Sequence, residues 1–128
     1  MINGSTEDQL AELARFGTPM SALIDSERLD ADSPLEEPRR SFVEACSKQS
    51  IECKVLDRRA TENYLTDRAV KQVKGEKYRA LGPYERLADA PMPWAKTENW
   101  RIADAMDLDD FRDNDLGKFL AGLLPPVA

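Results

Sequence analysis

Two short apolar runs, Met20-Ser21-Ala22-Leu23-Ile24 and Ile51-Glu52-Cys53-Lys54-Val55-Leu56, bracket a segment with room for one helix, and that order leaves few folds open. The first run stops abruptly at Asp25, as a strand buried on both faces does, and the second alternates like a strand. Between them a helix opens near Glu36, tolerates Pro38 in its first turn, and gathers Phe42, Val43 and Cys46 on one apolar face. Strand, helix, strand with a connection of this length predicts a right-handed crossover and neighbouring parallel strands. Residues 28–35, with Asp30, Asp32, Ser33 and Pro34, read as a mobile loop after the first strand.

The flanking segments read as helices. Ser5 and Thr6 offer a cap to a short helix carrying Leu10, Leu13 and Ala14, which Gly17 stops. After the second strand, Leu65, Ala69 and Val73 recur every four residues in a helix predicted from Thr61 to Val73, ended by Gly75. Gly82-Pro83, Pro91 and Pro93 mark residues 79–95 as irregular. Thr97 then caps a helix with Trp100, Ala103 and Met106 on one face, and Leu116 to Leu124 makes a last helix before Pro125-Pro126. The fold class is therefore α/β, a small parallel sheet flanked by helices. One domain over 1–128 is expected, with 1–57 as its strand and helix core and 58–128 as a mainly helical carboxyl-terminal extension, because a chain of 128 residues can bury one core and not two.

Composition narrows the chemistry. The chain has no histidine, which excludes histidine-based catalysis and histidine-ligated zinc. Cys46 and Cys53 complete neither a four-ligand zinc site nor a disulfide scaffold. Carboxylates remain as metal ligands, and they suit Mg²⁺ or Mn²⁺. The first residues lack the pattern of a secretion signal, and no apolar stretch approaches the ~20 residues that cross a bilayer, so a cytoplasmic protein without a membrane role is expected. A net charge of −6 argues against a free-standing nucleic-acid binder. Between Lys54 and Arg79, however, eight basic residues stand against four acidic ones, a locally basic stretch in an acidic protein.

Three stretches could carry chemistry. In Leu23-Ile24-Asp25-Ser26-Glu27, carboxylates two apart at a strand end can turn toward one point beyond the sheet edge, where open α/β sheets hold ligands. Such a pair can bind hard divalent ions that clamp a displaced phosphodiester, although an acid after a strand also commonly caps the next turn. In Arg58-Arg59-Ala60-Thr61-Glu62-Asn63-Tyr64, Glu62 falls at a helix opening, where it also suits the positive end of the helix dipole. In Trp94-Ala95-Lys96-Thr97-Glu98-Asn99-Trp100, Lys96 stands ahead of a helix, either as a surface charge or as a cation that neutralises a phosphorane-like transition state.

In this order the three stretches resemble the TOPRIM (topoisomerase-primase) nuclease half of the OLD (overcoming lysogenization defect) family, ATP-dependent endonucleases of bacterial and phage-defence loci. The similarity runs from about Ile2 to Leu124. It implies a TOPRIM-like sheet, with Asp25 and Glu27 as the acidic pair that binds Mg²⁺ or Mn²⁺ and Glu62 as a further acidic ligand. It also implies Lys96 as the lysine that assists phosphodiester cleavage, Arg59 and its neighbour Arg58 as contacts to nucleic acid, and Ser26 as a residue that orients a metal-bound water. Two departures stand out. The family's glutamate after an earlier strand would lie upstream of Gly4, so the first strand is expected to be missing, and no Gly-x-x-x-x-Gly-Lys-Ser/Thr phosphate loop is found. Two readings follow: a metal-dependent DNA endonuclease domain or split subunit partnered by an ATPase-bearing protein, or a catalytically incomplete TOPRIM remnant that serves as a protein-interaction module. In either, an open sheet edge would invite pairing, including a homodimer.

Overall fold

Strand β1, Ser21–Ile24, lies parallel to β2, Glu52–Val55, with Ser21 opposite Glu52 and Ile24 opposite Val55. The crossover between them is helix α2, Glu37–Lys48, entered from an extended Glu36 with proline in the first turn. At its far end Ser50 takes a positive φ of 57° and turns the chain into Ile51. Helix α2 buries Ala45 and Cys46. This parallel pair is the whole sheet among the described residues, which are 4–17 and 19–123 of a computed structural model. Both strands are therefore edges, and β1 is not buried on both faces as its apolar run predicts: Ser21 is exposed, and Ala22, Leu23 and Ile24 are partly so.

Around the pair stand α1 (Gly4–Ala14), α3 (Asp67–Lys74), α4 (Asn99–Asp104), α5 (Leu108–Phe111) and α6 (Asp115–Gly122). Three 3₁₀ turns, Thr61–Tyr64, Leu87–Asp89 and Lys96–Glu98, lie between them. The larger apolar cluster is built from 65–102, where Leu65, Ala69, Val70, Leu81, Leu87, Ala90, Trp94 and Ile102 pack together. A smaller one joins Leu56, Tyr64 and Leu116, with Leu23 and Phe111 against it, and docks α6 onto the sheet.

Several element boundaries differ from the sequence expectation, each for a local reason. Helix α1 starts at Gly4, so Ser5 and Thr6 lie inside its first turn. The helix expected over Thr61 to Val73 is interrupted at Leu65, which is extended, and restarts where the Thr66 hydroxyl accepts the Ala69 N–H at 3.3 Å. Leu65 and Ala69 are buried as their spacing requires, and Gly75 closes α3 with φ 121°. Thr97 lies within a 3₁₀ turn that no side chain caps; α4 follows and buries Ile102, leaving Trp100 69% exposed. Helix α5, which the sequence did not suggest, is defined by a reciprocal cap between Asp107 and Asp110. The expected end of the last helix at Leu124 and the Pro125-Pro126 stop lie outside the described residues.

In α6, Asn114 caps the helix through Gly117 N–H at 2.7 Å, and Gly117 sits directly on the end of α5. A Cβ at 117 would overlap the Phe111 carbonyl oxygen and lie 2.6 Å from its carbonyl carbon, and backbone cannot swing aside as a side chain can. Gly117→Ala is expected to destabilise by about 2 kcal/mol through this overpacking, read as a lower urea midpoint at unchanged slope. None of the helices is long and apolar enough to cross a membrane among the described residues.

Candidate active site

Beyond Ile24 the two strand-end segments are stitched together. Ser26, fully buried, donates from Oγ to the Arg58 carbonyl at 2.8 Å and accepts the Arg28 N–H at 3.3 Å. Its hydroxyl is spent inside the protein, which replaces the water-orienting role expected for it with a structural one. Glu27 donates its N–H to the Arg59 carbonyl at 2.8 Å and adopts φ 56°, a left-handed conformation costly for a residue with a Cβ. That strain is held by Arg59, whose Nη1 donates to the Glu27 and Arg28 carbonyls at 2.9 and 3.1 Å, and whose Nη2 donates to Glu27 Oε2 at 2.8 Å. Arg39, on α2, reaches the Asp25 carbonyl at 2.9 Å and stands 3.8 Å from Glu27 Oε1.

Glu62 enters from the 3₁₀ turn after β2, with 6% of its surface exposed. The turn is fixed by Asn63, whose Oδ1 accepts the Ala60 N–H at 3.1 Å and whose Nδ2 donates to the Gly82 and Glu85 carbonyls, both at 2.8 Å. The same turn presents the Thr61 N–H to Asp25 Oδ1 at 3.2 Å. From the next layer, Lys96 brings its ammonium 3.4 Å from Glu62 Oε1 while remaining 68% exposed along its side chain. Glu27, Arg59, Glu62, Arg86, Leu87 and Lys96 then surround a hollow of about 160 Å³.

The structure thus brings Asp25 and Glu27, Glu62, and Lys96 together from three segments far apart in sequence. Asp25 lies beside the hollow rather than in its wall. Burial holds its carboxyl above the usual aspartate range, and repulsion from Glu62 and Glu27 adds to this against the opposing Thr61 N–H and Lys96 ammonium. Arg58 is not part of the gathering: its Nη1 donates to the Asn63 carbonyl at 2.9 Å, and its guanidinium lies 4.9 Å from the Tyr64 ring centroid. Arg59 lines the hollow, but its terminal nitrogens are committed to the 27–28 segment. Arg86 is in the wall too, and nothing in its irregular surroundings marks it in the sequence.

A second network fixes the segment that carries these groups. Tyr64 donates from its hydroxyl to Asp115 Oδ1 at 2.7 Å and accepts the Arg58 N–H at 3.1 Å. Asp115 Oδ2 receives the Asp57 N–H at 2.9 Å and lies 3.2 Å from Lys54 Nζ. Burial works against the Asp115 charge, but these donors outweigh it and hold the carboxyl below its usual range. Burial first, and then the Asp115 bond, push the Tyr64 phenol well above its usual range, so it stays a donor.

Whether these residues suit a divalent ion has a two-part answer. Among the described residues no three acidic, cysteine or histidine side chains form a ready ligand group; Glu27 is paired with Arg59, and Glu62 with Lys96. The donor set is nevertheless of the right kind, hard carboxylate oxygen, and a cation beside Asp25 and Glu62 would relieve the carboxylate repulsion that adds to burial in raising the Asp25 carboxyl. Comparison with family models, curated proteins and solved structures finds no match for this chain.

Proposed function

We propose that this chain is a divalent-metal-dependent nuclease domain or split subunit that cleaves DNA phosphodiesters, with a TOPRIM-like arrangement akin to the nucleases of the OLD family and an expected place in phage defence. The supporting observation is the convergence of three carboxylates and one lysine, delivered by three separate segments, at the end of a parallel strand pair. Asp25 and Glu62 would hold Mg²⁺ or Mn²⁺, with Glu27 contributing through Oε1, the oxygen that Arg59 leaves alone. When bound, the ion supplies Lewis-acid stabilisation of the displaced phosphodiester. The chain's own groups do the rest: the Thr61 N–H orients Asp25, Arg59 fixes the strained Glu27 backbone, and the Lys96 ammonium neutralises charge that builds on phosphate oxygens. On this reading the protein works in the cytoplasm, where Cys46 and Cys53 stay reduced, and an ATPase-bearing partner completes it.

Incubation of supercoiled plasmid with the protein and Mn²⁺, alone and together with a co-expressed ATPase subunit, is expected to give nicked or linear DNA that EDTA abolishes. Intact plasmid under both conditions would falsify the proposal. One observation favours the remnant reading, in which the chain is a protein-interaction module: Trp100 is 69% exposed beside an open groove lined by Gln72, Val73, Arg101, Asp104 and Ala105. Trp94, by contrast, is buried and bonded to Asn99 at 2.8 Å, so it offers no such surface. Absence of Mn²⁺ binding in a calorimetric titration, together with intact plasmid, selects the module.

A further inference from the structure

Of the arginines near the hollow or the strand ends that lead to it, Arg39, Arg58, Arg59 and Arg86 differ in what their guanidinium groups already hold. Arg59 is bound to two carbonyls and to Glu27, with its side chain 14% exposed. Arg58 is bound to the Asn63 carbonyl and covers the Tyr64 ring. Arg39 donates to the Asp25 carbonyl and faces Glu27. Arg86 differs from all three: its side chain is 61% exposed, its Nε comes only within 4.0 Å of Asp89, and among the described residues its two terminal nitrogens hold no bond.

The backbone that carries Arg86 is, by contrast, fixed on every side. Arg79 and Glu85 pair through two parallel bonds of 2.7 and 2.8 Å, and Glu85 Oε1 also accepts the Gly82 N–H at 3.0 Å. Asn63 ties Gly82 and Glu85 to the turn that carries Glu62, and the Arg59 N–H ties Pro83 to the Glu27 segment at 2.9 Å. The Asp89 N–H closes on the Arg86 carbonyl at 2.9 Å as the Leu87–Asp89 turn begins. A planar fork of donors thus projects from a fixed backbone at the wall of the hollow, exposed to solvent and not engaged elsewhere among the described residues, and such a fork can take a phosphate with two parallel bonds.

We infer that Arg86, rather than Arg58 or Arg59, is the arginine that contacts a DNA backbone phosphate at this site, on a wall of the hollow shared with Lys96. The inference rests on the nuclease reading and adds a residue that the sequence resemblance does not assign. Lys96 already stands against Glu62, and so belongs to the acid cluster where bond cleavage is expected; among the described residues Arg86 faces no carboxylate closer than 4.0 Å, and it serves to hold the strand.

The test is binding without cleavage. Fluorescence anisotropy of a labelled DNA duplex, with the full chain in EDTA and across a salt series, is compared for the wild type, Arg86→Ala, Arg86→Lys and Arg112→Ala, an exposed arginine outside the wall of the hollow. Arg86→Ala is expected to weaken binding about tenfold and to reduce the slope of log K against log salt by about one, with Arg86→Lys restoring the slope but only part of the affinity. Arg112→Ala should leave both nearly unchanged. A merely structural role would move the melting temperature and not the salt slope. Unchanged affinity and slope in Arg86→Ala overturn the inference while leaving the nuclease reading in place; a wild type that binds no duplex also overturns the inference, and the plasmid assay with Mn²⁺ and the ATPase subunit then decides the nuclease reading.

Discussion

Asn63→Ala is expected to cost about 4 kcal/mol of stability, a large share of the roughly 5–15 kcal/mol of an ordinary domain. Asn63 is fully buried and satisfies three backbone groups at once: the Ala60 N–H and the Gly82 and Glu85 carbonyls. Truncation leaves all three without partners in a dry interior, at roughly 1–3 kcal/mol each before relaxation, and opens a cavity as well. Asn63→Asp separates the two halves of this role. It keeps the acceptor for Ala60, loses both donations, and places a carboxylate against two carbonyl oxygens, so it should be no better tolerated than alanine at neutral pH and partly rescued as acid protonates it. Urea denaturation of both variants, followed across pH, measures these losses; stability within about 1 kcal/mol of wild type in Asn63→Ala would show that the clamp is dispensable.

Asp25→Asn is expected to act oppositely on stability and on function. In the metal-free protein the Asp25 carboxyl sits above its usual range through burial and the nearby Glu62 and Glu27 charges. The folded state therefore holds this proton more tightly than the unfolded chain does. Stability from this group is greatest at pH values below the unfolded aspartate range, and it is lost as pH rises from there through the elevated folded value. At neutral pH the ionised side chain is a liability, so an amide that keeps the Oδ1 contact to the Thr61 N–H should raise the melting temperature. The same change removes a ligand oxygen charge, and Mn²⁺ affinity and plasmid cleavage should fall by at least about a hundredfold. In the wild type, metal affinity should weaken toward acid pH earlier than an ordinary aspartate would dictate, because metal and proton compete for the elevated carboxyl. Calorimetric Mn²⁺ titration and thermal melts of the two proteins, across pH, check both halves. A lower melting temperature with intact cleavage would overturn both the electrostatic account and the assignment.

What could be read from the chain alone was whatever depends on near neighbours. The abrupt change from Ile24 to Asp25 located the end of β1, the alternation at 51–56 located β2, and Gly75 stopped α3, because each signal is carried by consecutive residues. The linkage of Asp25, Glu62 and Lys96 came from the order of three motifs and not from periodicity, and their spatial meeting depends on contacts that no local pattern encodes. Helix starts were less legible: α3 opens behind the Thr66 cap rather than at Thr61, and Thr97, expected as a cap, lies inside a 3₁₀ turn. The roles of the arginines were illegible for a deeper reason. Arg58, Arg59 and Arg86 are equivalent as residue types, and what separates them is which carbonyls the folded chain leaves within reach.

The hollow also lies along a seam. Glu27 and Arg59 belong to the strand-end segments, whereas Leu87 and Lys96 belong to the helical half, where Leu87 is part of the larger apolar cluster. An occupant bridging those walls would act as a rivet between two separately packed bodies of side chains, and its binding energy would be entered directly into their cohesion. Loading and tightening would then be one event, and whatever empties the cleft would slacken the molecule along that line.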